Sequence, residues 1–230
     1  PIDKLTGNDL LKCDLKYDVD LVIHLAGLSG VRDSLDRPTE YWKENVIAGQ
    51  RLFEYFPDTR ILYASSSTAI EPWRNPYAMS KLSLEQLAPK NSVGMRFTTV
   101  YGPGAREHML IPRILRNDVP FIHTNHTRDF IHVNDILSAI DTLIKSDYQG
   151  VTDVGRGESY NLLDLIATFK IDCERAIGGD EFYYREVDYK NYDKVCPSIK
   201  NYMYEVPPKE FSICTLGQMK QQEKILKKQV

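Results

Sequence analysis

A chain of 230 residues, 42% of them hydrophobic, is long enough for one large domain or two intimate ones built on a real core. Its net charge of -3 argues against a general nucleic-acid or membrane-surface binder, and it has no apolar run of the roughly 18 residues that read as a membrane helix. Cys13, Cys173, Cys196 and Cys214 form no C-x-x-C pair and no metal-ligand spacing, which fits thiols in a reducing, cytoplasmic compartment.

In chain order, DVDLVIHLAG (18–27) is a short apolar run ending in small residues, the pattern of a buried parallel strand. TEYWKENVIAGQRLFEYF (39–56) follows Pro38 with apolar residues at helical spacing. RILYASSS (60–67) is a second strand ending in hydroxyls, and PYAMSKLSLEQLA (76–88) a second helix. SVGMRFTTVYGPG (92–104) is a third strand running into a Gly/Pro loop. HVNDILSAIDTLIKS (132–146) is a further helix and YQGVTDVG (148–155) a last strand. Strands alternating with helices of this length predict βαβ units and a parallel sheet covered on both faces. The alternation weakens beyond about residue 156, so residues 156–230 are expected to form a smaller second lobe.

Ligands of open α/β sheets bind outside the carboxyl ends of the strands. Three such ends carry distinctive residues here: HLAG, ASSST and TTVYGPG. The small residues of LAG let a ligand approach the backbone closely. Ser65, Ser66, Ser67 and Thr68 place hydroxyls on the same rim, although serine and threonine also serve simply to make turns. In NPYAMSK (75–81), Tyr77 and Lys81 lie one helical turn apart. That spacing suits an ordinary amphipathic face as well as a phenol tuned by an ammonium. Pro76 fits the first position of the helix that carries both. His123 and His126 lack further ligands at zinc spacing, so no metal site is expected. His24 and His132 read as strand-end and helix-start residues with satisfied hydrogen bonds.

Six motifs occur in a fixed order: DVDLVIHLAG, GVRDSLDRPTEYWKENV, YASSST, YAMSK, RFTTVYGP and RDFIHVND. Together they resemble the extended short-chain dehydrogenase/reductase family, in particular its NAD-dependent nucleotide-sugar epimerases and dehydratases. GVRDSLDRPTEYWKENV most resembles the branch of uronic-acid-type 4-epimerases. The resemblance implies an α/β fold: a Rossmann-like doubly wound parallel sheet (residues 1–155, with 101–130 contributing to the substrate site) and a smaller C-terminal substrate lobe. It implies NAD as cofactor, a nucleotide-diphosphate sugar as substrate, and a homodimer paired through helices 39–56 and 76–88.

It also implies roles. Tyr77 is the expected general base, with Lys81 as its partner. Ser66 is expected to bind the sugar oxygen with Thr68 assisting. Asp14 and Leu15 lie where relatives contact adenine; Leu25, Ala26, Gly27 and Val100 line the cofactor. Thr99 and Arg128 are expected to face the substrate, with Arg106 and Arg185 weaker candidates; Arg128 suits a diphosphate or, equally, a structural ion pair with Asp129 or Asp135. Asn45 is expected to be structural, holding the strands of the site in register. Relatives that dehydrate or decarboxylate carry an acidic residue just after the catalytic hydroxyl. Ser67 and Thr68 stand there instead, which favours epimerisation. A keto-reductase or dehydratase, or a catalytically silent Rossmann-like binding module, are the alternatives.

Two departures stand out. Residues 1–230 contain no glycine-rich phosphate-binding fingerprint after a first strand. With a proline rather than a methionine first and no leader pattern after it, that βαβ segment is expected upstream of Pro1. Only eleven positions separate Ser66 from Tyr77, so the intervening loop is short.

Overall fold

A computed structural model describes residues 7–176, and these fall into two compact units. The first comprises residues up to Phe97 together with Thr142–Val154. The second comprises Thr98–Asp141 and, among the described residues, those from 155 to 176. The lobe expected at 156–230 thus lies largely outside the described residues, as do Arg185, Cys196 and Cys214.

The first unit opens with β1 (Leu21–His24), α1 (Val31–Asp36) and α2 (Pro38–Tyr41). α2 passes through a π-helical stretch (Trp42–Ile47) into α3 (Ala48–Tyr55). β2 (Arg60–Ser66), two short 3-10 turns (Ser67–Ile70 and Pro72–Arg74), α4 (Pro76–Leu87) and β3 (Ser92–Phe97) follow. In the second unit come β4 (Thr99–Tyr101), α5 (Leu110–Leu115), β5 (Phe121–His123) and β6 (Thr127–His132). α6 (Val133–Lys145) returns the chain to the first unit and β7 (Gly150–Val154). β8 (Ser159–Asn161), α7 (Leu162–Phe169) and β9 (Glu174–Ala176) complete the described residues.

β1, β2, β3 and β7 hydrogen-bond in that order, every pair parallel, forming a Rossmann-like sheet with flanking helices. Parallel pairing requires a crossover between neighbours, and the helices supply it. β2 is central, and its Ile61, Leu62 and Tyr63 are buried, as expected of a strand covered on both faces. Leu10, Leu15, Leu52, Phe53, Phe56, Ile61, Tyr63 and Leu84 form one continuous core. Gly49 lets α3 and α4 approach: a Cβ there would collide with the Leu84 side chain. Arg60, at the start of β2, donates to the carbonyls of Leu143 (3.0 Å), Ser146 (2.8 Å) and Tyr148 (3.1 Å), closing the turn from α6 into β7.

The second unit has its own core of Tyr101, Ile114, Val119, Ile122, Phe130, Leu162, Leu165 and Ile166. β6 pairs parallel with β4 and antiparallel with β8, and β5 pairs parallel with β9. Buried Asp129 accepts from the backbone N–H groups of Arg156 (3.0 Å) and Gly157 (2.9 Å), fixing the turn that leads to β8.

The strand expected over 92–104 ends at Phe97; after Thr98 the chain starts β4 in a different sheet. The helix expected over 39–56 contains a π-helical stretch, a form frequent at functional sites. No helix among the described residues is long and apolar enough to cross a membrane.

Candidate active site

α4 carries the centre of the site. Asn75 caps it: the Asn75 Oδ1 accepts from the Ala78 N–H at 2.8 Å, and Pro76 occupies the first turn. The cap removes one unsatisfied donor, and proline's fixed φ starts the helix without sacrificing a backbone bond. Asn75→Ala is therefore expected to cost about 1 kcal/mol, read as a lowered urea midpoint with unchanged slope.

One turn on, Lys81 is 5% exposed and donates to the Ala64 carbonyl at 3.0 Å, which binds α4 to the carboxyl end of β2. Its Nζ lies 5.9 Å from the centre of the Tyr77 ring, so phenol and ammonium share one helix face. Burial pulls Lys81 down to about 8, and the charge of Glu85 works in the opposite direction. The Tyr77 ring meets Tyr41 edge to face at 6.1 Å, and the Tyr41 hydroxyl donates to the Ser29 carbonyl.

Two residues beyond Ala64, the Ser66 Oγ accepts from the Thr68 hydroxyl at 3.0 Å and the Thr68 N–H at 3.3 Å. Ser66 thus caps the first 3-10 turn, and its own proton remains available to donate. In the short loop to Asn75, Glu71 and Arg74 pair at 2.7 Å.

The small residues after β1 complete this group. Leu25, Ala26 and Gly27 are exposed. Gly27 has φ +148°, and a Cβ on it would lie 2.7 Å from Asn45 Oδ1 and 3.6 Å from Lys81 Nζ. Asn45 binds this loop to α4: its Oδ1 accepts from the Leu28 N–H (2.7 Å), while its Nδ2 donates to the Leu28 carbonyl (3.0 Å) and Ser80 Oγ (2.9 Å). The expectation that Asn45 keeps strands in register is thereby corrected. It fixes a loop to a helix, and the widened π-helical turn holds it.

Asp14 and Leu15 also belong to the first unit, next to backbone carbonyls of Leu10 and Cys13 that accept from Arg51. Asp14 is exposed and pairs with Lys16 at 3.0 Å, a hydrogen bond that lowers its pKa. Leu15 is buried in the core, 1% exposed as a whole residue.

Thr99, Val100, Arg106 and Arg128 lie in the second unit. Thr99 and Val100 form half-buried β4, Arg106 is exposed, and the Arg128 guanidinium donates to the Thr127 carbonyl at 3.0 Å. His126 is held neutral to about 4 by burial, the Arg128 charge and His123.

The expected satisfaction of His24 and His132 is corrected. His132 Nδ1 accepts from the Asn134 N–H at 3.2 Å, but the Nε2 atoms of both residues are buried without a partner among the described residues. Burial and the Lys81 charge bring His24 down to about 4, so it enters the core neutral. Glu85 and Arg96 carry no functional signature in the sequence, yet they make a bidentate pair beneath the site.

A parallel α/β sheet with small residues, hydroxyls and a Tyr–Lys helix pair at its strand ends defines a Rossmann-like fold. The chain belongs to the NAD dependent epimerase/dehydratase family, whose model matches residues 4–162. Among curated relatives, protein CapI of Staphylococcus aureus is 31% identical over 168 residues, 60% of this chain and 50% of CapI. The bifunctional UDP-glucose 4-epimerase and UDP-xylose 4-epimerase 1 of Pisum sativum is 26% identical over 221 residues, 73% of this chain and 63% of that protein. The chain thus spans half to under two thirds of these relatives. Among solved structures, UDP-N-acetylglucosamine 4-epimerase from Methanobrevibacter ruminantium in complex with UDP-N-acetylmuramic acid matches in fold. Its TM-score is 0.74 at 23% identity, over 96% of this chain and 82% of that one.

Proposed function

We propose that this protein catalyses NAD-dependent epimerisation of a nucleotide-diphosphate sugar at C4, through a transient keto-sugar. The observation that carries the reading is the grouping of Lys81 with Tyr77, the Ala64 carbonyl and Gly27, in a chain of this family.

The residues present fit NAD: the loop at 25–27 after β1 is exposed and ends in small residues, and at Gly27 a side chain is excluded by Asn45, so the loop keeps its bare backbone beside Lys81. Asp14, Leu15, Leu25, Ala26, Gly27, Tyr77, Lys81 and Val100 are the residues assigned to hold it. Bound NAD supplies a hydride acceptor that becomes the donor for the return step. Tyr77, as phenolate, takes the proton of the C4 hydroxyl while Ser66, supported by Thr68, donates a hydrogen bond to that oxygen. Lowering a tyrosine from its usual 10 to near neutrality requires roughly 4 kcal/mol, and the Lys81 ammonium contributes by favouring the charged phenolate. Tyr77 then returns the proton to the reduced oxygen once the sugar presents its other face. The reaction has no net redox. Thr99, Arg106 and Arg128 are assigned to the sugar and its diphosphate, a role for which a guanidinium fork is suited.

We assign the protein to the cytoplasm and to a homodimer paired through the helices at 39–56 and 76–88. These expose Ile47, Met79 and Leu87, each more than 40% accessible. The test is to purify the full-length protein, weigh it by light scattering, identify bound cofactor by mass, and offer it UDP-, GDP- and dTDP-sugars. NAD, twice the chain mass and a C4 epimer are expected. A protein without NAD or NAD affinity would make it a binding module.

A further inference from the structure

Beneath the Tyr77–Lys81 pair lies a polar row, buried at Ser65 and half-buried at Arg96 and Asp153. Arg96 on β3 is the register partner of Ser65 on β2 to one side and of Asp153 on β7 to the other, so all three lie on the same sheet face. Glu85 of α4 meets this row with a side chain only 2% exposed. Its Oε1 accepts from the Ser65 hydroxyl and from Arg96 Nε (2.8 Å), and its Oε2 from Arg96 Nη2 (2.6 Å). Consecutive residues of β2 thus serve neighbouring turns of α4: the Ala64 carbonyl holds Lys81, and the Ser65 hydroxyl holds Glu85.

We infer that Glu85 is a positioning residue for the Tyr77–Lys81 pair: a buried carboxylate, clamped by Ser65 and Arg96 one turn beyond Lys81, whose charge keeps Lys81 in its ammonium form. The inference rests on the role proposed for Lys81. A bidentate arginine and a hydroxyl are more than a helix surface needs, and they remove the freedom of Glu85 to turn away. The groups facing Lys81 are His24 from β1, Tyr77 and Glu85 from α4, and, through Glu85, Arg96 from β3 and Asp153 from β7. His24 is neutral at physiological pH, and burial raises Asp153 to about 6. Glu85 is the acidic group whose charge acts on Lys81 against its burial. A neutral lysine offers the phenolate nothing, so loss of the Glu85 charge would reach Tyr77 through Lys81.

The test titrates Lys81 in the full-length protein by NMR of 13Cε-labelled lysines, its signal assigned with Lys81→Arg, and compares wild type with Glu85→Gln and Ser65→Ala. The Lys81 midpoint is expected to fall by about one unit in Glu85→Gln, a tenfold smaller ammonium-to-amine ratio at a given pH above the midpoint, and by less in Ser65→Ala. In the kcat–pH profile of Glu85→Gln the alkaline limb should move down in step. An unchanged Lys81 midpoint in both variants, with a lowered melting temperature alone, overturns the inference and leaves Glu85 structural. Should Lys81→Met turn over like wild type, the role of Lys81 itself fails. The NMR midpoint still reports on Glu85 in that case, so the two failures are separable.

Discussion

Replacing Tyr77 by phenylalanine is expected to lower turnover by about 10²–10⁴-fold, the usual worth of a positioned acid–base group, and to leave the fold intact. The ring is what packs: it meets Tyr41 edge to face, and phenylalanine preserves that contact. Loss of the hydroxyl removes the group that accepts and returns the C4 proton. Unfolding midpoints of the two proteins should differ by about 1 kcal/mol or less. Turnover of Tyr77→Phe at the wild-type rate would remove Tyr77 from the mechanism.

Lys81→Met is expected to separate activity from stability. Burial lowers the Lys81 pKa from 10.5 to about 8, so holding the ammonium in the fold at pH 7 costs about 3 kcal/mol. Methionine removes that cost and fills similar space, while the Ala64 carbonyl loses its donor. The balance is a protein about 1–2 kcal/mol more stable at pH 7, with turnover reduced at least as severely as in Tyr77→Phe. The sign follows from a cationic group whose pKa is depressed on folding, so that the unfolded chain holds the proton more tightly. The wild-type handicap is therefore complete below about pH 8 and fades as pH rises toward 10.5. Urea unfolding at pH 7 and at pH 10 should show the gap between the two proteins closing. A Lys81→Met protein that is less stable at pH 7 would make Lys81 a structural residue.

Some parts of the site were legible in the sequence and others were not. Tyr77, Lys81 and Pro76 lie within six residues of one another on one helix, and helical spacing alone shows that they share a turn. HLAG and ASSST were legible because a run of apolar β residues ending in small or hydroxylic ones marks a strand's carboxyl end, although β1, expected to be buried, is covered on its His24 side alone and leaves Ile23 exposed. The clamp on Glu85 was not. Ser65 and Arg96 become neighbours only through strand register, and periodicity within either strand says nothing of the other. Asn45 reads as an ordinary helical residue until the π-helical turn and the Leu28 backbone show where its amide goes. Short pieces escaped as well. β4, β5 and β8 have three residues each, too few to show an alternation, and α5 has six. The return of the chain through α6 to β7 was legible as an element order. The interleaving of the two units was not, because it depends on contacts between distant segments.

The central claim is that the C4 hydrogen leaves the sugar and returns to the same carbon while Tyr77 manages only the hydroxyl proton. The most direct measurement offers the full-length protein a nucleotide-diphosphate sugar deuterated at C4, in ordinary water, and reads the epimer by NMR and mass. Retention of the deuterium at C4 in the inverted product, with none exchanged for solvent hydrogen, is the predicted result. An epimer that has lost its label to water would show deprotonation at carbon instead, and would contradict the roles assigned to Tyr77, Lys81 and Ser66.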